Sequence, residues 1–396
     1  MSEEIRLSPT TEEGVCEAVM MAGANDGRLR VAGGGTRLDI GRPCNHTHTI
    51  DLSGLSGITL YEPAEMIISA WAGTPLKELE AALSAEGQML TFEPNDLREL
   101  LGTEGEPTVG SVVASNNSGP RRVYGGAARD SVIGVRFVNG RGEVIKNGGR
   151  VMKNVTGLDL VKLQSGAWGT LGVLTEVTFK VLPKPELVRT LALSDLDDRS
   201  AVQAMCAAMG TPFEVTGASH LPAAGNGAEG SRTYFRIEGM AESVAYRSAK
   251  LSDALAAHGA TGTLEEDESD ALWRSVRDAR PLAEPRDRRV WRASLPPTKG
   301  PDFVAGSGAL SYYFDWSGGL VWFSTPMDAD VDAIHRLAAN HHGHALLVRA
   351  PHDVRAHAQI FPPQQAAVER LSAGIKASFD PSHILNPGLM VPDAPH

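Results

Sequence analysis

The sequence predicts an α+β protein of two domains, and three observations predict it. At 396 residues the chain exceeds the size at which one hydrophobic core usually stops growing. Up to about Pro185, strand-like and helix-like patterns alternate. Beyond it, alanine-rich helical segments mix with shorter strands, the pattern of a second α+β unit packed on the first.

The elements follow in chain order. SPTTEEGVCEAVMMAG (8–23) reads as a helix, with Ser8 as its cap, Pro9 at the first helical position and acids in the first turn. LRVAG (29–33), HTIDLS (48–53) and MIISAWAG (66–73) carry the β-branched and aromatic residues of strands. GTPLKELEAALSAEG (73–87) reads as a helix capped by Thr74, with Leu76, Leu79 and Leu83 on one face and a stop at Gly87. GAWGTLGVLTEVTF (166–179) ends in a strand of period two. In the second half FEVTGASHL, RTYFRIEG, RVWRASLPP, LSYYFDW and GLVWFSTP read as strands, and MAESVAYRSAKLSDALAAHG, DESDALWRSVRDAR and DADVDAIHRLAAN as helices. The acidic run Glu265 to Asp270 reads as a solvated helix start suited to the N-terminal dipole.

Composition narrows the function. Hydrophobic residues make up 42% and charged residues 21%, as in a folded soluble protein, and a net charge of −11 excludes general nucleic-acid binding because phosphates are repelled over most of the surface. No stretch approaches the roughly 20 apolar residues of a membrane span, and the start, MSEEIRLSPTTEEG, lacks the layout of a secretory signal. The expectation is a cytoplasmic protein that reaches the inner face of a membrane only through partners. Cys16, Cys44 and Cys206 are odd in number and far apart, which fits neither a disulfide framework nor an iron–sulfur or zinc cluster, so no metal is expected.

Three glycine-rich stretches carry the chemistry: VAGGGTRLDIG (31–41), TVGSVVASNNSG (108–119) and the start of GAWGTLGVLTEVTF. Each alone reads equally as a surface turn. Together they can form a nest of backbone N–H groups that binds an anion without a cationic side chain, with hydroxyls from Thr36, Ser111 and Ser118 and amides from Asn116 and Asn117 as further donors. The NTPase phosphate loop is absent, since no Gly-Lys-Ser/Thr occurs. Gly166, Gly169 and Gly172 lack the leading G-x-G of the dinucleotide fingerprint and precede a strand instead of opening a helix.

The ordered set GGGT (33–36), AGTPLKELEAAL (72–83), TVGSVVASNNSG (108–119), RRVYGGAARDSVIGVRFVNGRGEV (121–144), MKNVTGLDLVKLQSGAWGTLGVLTEVTFKVLPKP (152–185) and FDPSHILNPG (379–388) resembles the vanillyl-alcohol-oxidase, or PCMH-type, FAD-binding family. Within it, SGPRR (118–122), Arg129 with Asp130, and GGRVMKNVTGLDL (148–160) resemble the FAD-binding subunits of glycolate oxidase. The resemblance implies a two-lobed FAD-binding domain over 1–185, with lobes of about 1–57 and 58–185, then a smaller α+β cap over 186–359. A helix and tail over 360–396 return to the flavin. It implies that Gly33, Gly34, Gly35, Thr36 and Arg37 wrap the FAD pyrophosphate. Thr108, Gly110, Ser111, Ser118 and Gly119 form a second contacting segment, and Gly172, Val173 and Asn386 approach from the far side. Val31-Ala32 stands where the family usually has proline, and Leu389 where relatives often carry lysine after NPG. No His or Cys lies in 31–41 or 108–130, so the flavin is expected to be non-covalent.

The resemblance further implies oxidation of a 2-hydroxy acid, glycolate to glyoxylate, beside a larger FAD-binding catalytic subunit and an iron–sulfur subunit. The alternatives are a self-sufficient FAD-dependent dehydrogenase of D-lactate type and a structural subunit without redox chemistry. Hydroxy-acid oxidation needs a hydride acceptor, a base for the hydroxyl proton and a cation for the carboxylate. Relatives carry His-x-Gly-Asp-Gly-Asn for the last two, and this chain has no such string. HHGHALLVRAPH (341–352) reads as an exposed helix end and turn, without the carboxylate or cysteine a metal site would add. Arg292 is the catalytic candidate, as a carboxylate holder, against the alternative of a strand arginine paired with a surface acid.

Overall fold

In a computed structural model, described over residues 5–149, 157–223 and 230–392, the chain forms four sheets. The smallest lobe is a three-stranded parallel sheet in the order Ile5–Leu7, His48–Asp51, Leu29–Ala32, covered by the helix Glu12–Ala24. That helix starts later than its sequence suggests. Thr11, not Ser8, is the cap, and its hydroxyl accepts from Gly14 N at 3.1 Å. The buried carboxylate of Glu12 explains the start: Thr175 Oγ1 donates to it at 2.6 Å and Arg136 Nε at 3.0 Å, which ties the first turn to the second lobe.

The second lobe is an antiparallel sheet in the order Ile58–Glu62, Ile67–Trp71, Val173–Lys180, Val132–Val138, Val144–Gly148. Its helix Leu76–Ala85 buries Leu76, Leu79 and Leu83 as the spacing requires. Pro75 occupies the cap position, because the Thr74 hydroxyl instead accepts from Gly57 N (2.9 Å) and donates to Gly57 O (3.2 Å). TVGSVVASNNSG contains a short helix, Val109–Ala114, which buries Val109, Val112 and Val113 in the lobe's core. Part of GGRVMKNVTGLDL, residues 150–156, lies outside the described residues.

The second half is an eight-stranded antiparallel sheet in the order Gly262–Thr263, Leu187–Ser194, Arg232–Gly239, Val215–Leu221, Ser311–Asp315, Leu320–Thr325, Arg289–Ser294, His344–Arg349. Helices Asp198–Met209, Ala241–Leu255, Gly300–Ser307 and Val331–Asn340 lie against it, around a core that includes Phe235, Trp291, Phe303 and Phe323. Tyr313, Leu320, Trp322 and Val348 of the sheet pack with Ile40, Leu97 and Leu100 of the first half. The sheet is therefore the wall that faces the glycine loops.

After the exposed helix Ala366–Phe379 the tail returns to the first lobe. Leu29 N donates to Ile384 O at 2.7 Å and Asn386 N to Leu29 O at 2.8 Å, so the tail extends the first sheet alongside Leu29.

Candidate functional site

Leu29–Ala32 delivers Gly33–Thr36 into a gap where only bare backbone fits. A Cβ on Gly33 would stand 2.3 Å from Thr108 Oγ1, and one on Gly34 would stand 1.8 Å from Glu106 O. Gly35 has φ +78, a left-handed conformation that glycine adopts without strain. Gly110 is held against Ala72, whose Cβ lies 2.8 Å from where a glycine Cβ would be. Gly33–Arg37, Thr108, Gly110, Ser111, Gly172 and Asn386 all border one cavity.

The cavity's chemistry suits an anion. Its lining holds Arg30, Arg37 and Arg42 and, among the described residues, no carboxylate, inside a chain of net charge −11. Thr108 Oγ1 is buried with no hydrogen-bond partner among the described residues, a donor left over for a ligand. Arg37 is fixed by Asn95, its Nη2 donating to both O and Oδ1 at 2.6 Å. Burial pushes the Arg37 pKa down to about 10, opposed by Asp96 and reinforced by Arg292. A Cβ-excluding cradle, an orphan hydroxyl and guanidinium walls fit the diphosphate of a dinucleotide.

Asn386, itself at φ 42, locks the far side: Val31 N donates to its Oδ1 at 2.8 Å and its Nδ2 donates to Trp168 O at 2.7 Å. Two expected contacts lie elsewhere. Val173 is fully buried in the core while its neighbours Gly172 and Leu174 border the cavity. Gly119 borders neither cavity; a Cβ there would meet Glu93 O at 2.5 Å, and its carbonyl accepts from Trp316 Nε1 at 3.0 Å.

Through Arg37, Ile40, Ser115 and Trp168 the first cavity shares walls with a second, of about 400 Å³, that opens toward the eight-stranded sheet. Ser118 and Asn116 line it, and Asn117 braces it by exchanging hydrogen bonds of 3.2 Å with Asn95. The sheet contributes Arg292, Ser294, Trp322, His344, Leu346 and Val348. The cross-strand pairs Arg292 with Trp322, Arg292 with Leu346 and Ser294 with His344 put these five on one face, and Val348, two residues beyond Leu346, borders the same cavity.

The surface-acid alternative for Arg292 is overturned. Its guanidinium carbon lies 4.8 Å from the Trp316 ring centroid, and it has no hydrogen bond or ion pair among the described residues. Arg122 approaches the same ring at 5.9 Å. Burial, then the charge of Arg122, push the Arg292 pKa down to about 10. Of the reading of 341–352 as an exposed helix end and turn, the helix end and turn hold only for His341 and His342, while the exposure holds for His342 and His344. His344 opens an edge strand, His344–Arg349, and faces the cavity. Strand alternation was the signal: Arg292 and Ser294 are two apart, as are His344, Leu346 and Val348. Trp168 and Trp316 carried no such signal.

Two glycine-floored lobes with an anion-fitting cavity, closed by a separate sheet domain, define an FAD-binding oxidoreductase. The FAD binding domain family model matches residues 4–148. The chain is 32% identical over 378 residues to the glycolate oxidase subunit GlcE of Escherichia coli K12, covering 96% of this chain and 97% of that one. It belongs to the PCMH-type FAD-binding family of glycolate oxidase subunits. The glycolate oxidase subunit GlcD of Bacillus subtilis is 43% identical over 84 residues, 21% of this chain and 18% of that one. A D-lactate dehydrogenase of Anaerostipes hadrus is 32% identical over 191 residues, 48% and 38% of the two chains. Alkyldihydroxyacetonephosphate synthase shares the fold, with a TM-score of 0.71 at 16% identity over 96% of this chain and 75% of that one. No helix among the described residues is long and apolar enough to cross a membrane.

Proposed function

We propose that this chain is the FAD-binding subunit of a glycolate oxidase-like complex. The complex takes glycolate to glyoxylate and passes the electrons to a larger FAD-binding subunit and an iron–sulfur subunit. In this reading Gly33–Thr36 with the Thr108 hydroxyl, Gly110 and Ser111 hold the diphosphate of FAD. Arg37 and Ser118 line the passage to the second cavity, and Gly172 with Asn386 close the far side. FAD supplies the two-electron acceptor. The domains divide near residues 185 and 359, with Ile360 and Phe361 still in the core of the sheet domain and the tail around residues 384–389 packed on the FAD domain.

One observation carries the proposal: two joined cavities present guanidinium groups and no carboxylate among the described residues, within an acidic chain. That field suits an anionic cofactor beside an anionic substrate. The near full-length match to a protein named as a glycolate oxidase subunit supports the choice of substrate and the presence of partners.

The test is purification of the chain alone and together with candidate partner chains. The chain should be yellow, acid precipitation should release the flavin to the supernatant, and the assembled complex should reduce a dye with glycolate. Colourless folded protein sinks the FAD reading. Colour retained in the pellet overturns non-covalent binding and singles out Cys44, which borders the first cavity three residues beyond the glycine stretch.

A further inference from the structure

We propose that the second cavity is a hydroxy-acid site belonging to this chain itself: Arg292, seated on Trp316, anchors the substrate carboxylate, and His344 accepts the hydroxyl proton. The inference rests on the FAD reading above and goes beyond it, because a subunit can bind FAD without meeting substrate.

Among the polar heads on this wall with no hydrogen-bond or ion-pair partner among the described residues are the guanidinium of Arg292 and the imidazole of His344, the two that can carry or take up a proton charge. They project from neighbouring antiparallel strands onto one face, with Ser294 directly opposite His344. A guanidinium held against an indole face keeps its edge N–H groups free, and those groups suit a carboxylate. Trp316 is itself fixed, since its Nε1 donates to Gly119 O at 3.0 Å, so the anchor is positioned before ligand arrives. His344 keeps an exposed edge, yet desolvation of the rest of the ring, then the charge of Arg292, lower its pKa from the ordinary value, which favours the neutral ring as a proton acceptor. In the step, the hydroxyl O–H breaks and its proton goes to His344. FAD, when bound, would supply the acceptor for the C2–H electron pair as hydride, and loss of that pair and of the proton would turn the C2–O bond into a carbonyl. No His-x-Gly-Asp-Gly-Asn string is needed for this arrangement.

The test uses the full chain, both FAD-loaded and stripped of flavin, with oxalate as a planar anion that cannot be oxidised. Oxalate should change tryptophan fluorescence saturably in both forms, and Trp316→Phe should reduce that signal, the rest coming from Trp168 and Trp322 of the same cavity. Arg292→Met should weaken oxalate about thirtyfold, with Arg292→Lys intermediate. His344→Gln should bind oxalate within about threefold of the parent, yet lose the bleaching of its flavin by hydroxy acids about a hundredfold or more. Circular dichroism and flavin content confirm that each variant is folded. Oxalate binding unchanged in a folded Arg292→Met chain overturns the anchor. Flavin bleached at the parental rate by His344→Gln, or a flavin-loaded parent inert to glycolate, D-lactate and L-lactate, overturns the site. The last result leaves the subunit reading standing if the assembled complex still turns over.

Discussion

Alanine at Gly34 tests the cavity most directly. Its Cβ would stand 1.8 Å from Glu106 O, 2.8 Å from Glu106 C and 3.0 Å from Glu106 N. All three atoms belong to backbone, so no side-chain rotation relieves the overlap. The loops must part by about 1.2 Å to reach even a 3.0 Å contact, and they are already close enough that a Cβ on Gly105 would lie 2.0 Å from Gly34 O. Overpacking of this kind costs about 1–3 kcal/mol, which is roughly 5- to 150-fold in an equilibrium constant. The movement draws Gly33 away from Thr108, so the penalty should fall on FAD binding. Gly35→Ala is the comparison. It suffers only its φ of +78, with its nearest neighbour, Leu38 Cδ1, at 3.8 Å, and should cost about 1 kcal/mol. Titrating FAD into flavin-stripped protein, read by quenching of flavin fluorescence, should rank parent, Gly35→Ala and Gly34→Ala in order of falling affinity. Gly34→Ala binding FAD within twofold of the parent would refute the argument that backbone contact between the two loops builds the site.

Three further outcomes are expected. Arg236 donates from Nη1 and Nη2 to the two Glu93 oxygens at 2.8 Å each, so Arg236→Met strands buried charge and should cost about 3–5 kcal/mol, a fall in melting temperature of roughly 6–20 °C; a shift under 2 °C would show that the pair carries nothing. Burial raises the Glu93 pKa, but Arg236 and Arg121 more than reverse this and leave it well below its ordinary value, so its stabilisation is present above about pH 4.5 and is lost as pH falls toward the folded value. Asp315 is the opposite case, pushed up to about 7 by burial with Oδ1 unpartnered among the described residues. Its stability contribution is intact below the ordinary carboxylate value and is lost as pH rises through 7. Asp315→Asn should therefore be more stable than the parent at pH 8, by up to about 4 kcal/mol, and melt higher there but no higher at pH 4; equal curves at both pH values would contradict the assignment. Asn386→Ala removes the bonds to Val31 N and Trp168 O and should cost about 2–3 kcal/mol in thermal melts, with weaker FAD binding; unchanged FAD affinity would separate the tail from the site.

How much of this was legible in the sequence depends on the range of the interaction. Leu76, Leu79 and Leu83 announced their helix because their burial follows from local spacing, and the cap strands were readable for the same reason. Val109–Ala114 was hidden by its own Gly110 and Ser111: they line the cavity, while Val109, Val112 and Val113 turn inward. Capping failed where a hydroxyl had a distant use, as with Thr74 and Gly57. The glycine loops could be named from composition, but the close approach of Gly34 to Glu106 depends on loops some seventy residues apart, which no local pattern encodes. His344 was misplaced because an edge strand of six residues after a turn looks like the end of the preceding helix.

The charges at the domain junction divide into two groups with different roles. Arg121 and Arg236 bond to Glu93 and Glu238, with Arg121 Nη2 to Glu238 Oε1 at 2.6 Å, and all four side chains are largely buried. Two cations against two anions leave this cluster near neutral, so it fastens the cap without projecting a field. Arg292 has no such counterion. Its neighbouring carboxyl, Asp315, has a pKa near 7, so part of the Asp315 population is neutral at physiological pH. An ionised Asp315 would offset part of the Arg292 charge, and a protonated one leaves that charge to the cavity. Anion binding at Arg292 should therefore tighten as pH falls through 7, with protons taken up on binding, and Asp315→Asn should remove the part of that dependence centred near 7 while keeping the tight form, leaving only the further tightening below pH 6.5 that protonation of His344 adds. Calorimetry of oxalate in buffers of different ionisation enthalpy measures the uptake. Binding that is independent of pH between 6 and 8 in the parent would separate Asp315 from the site.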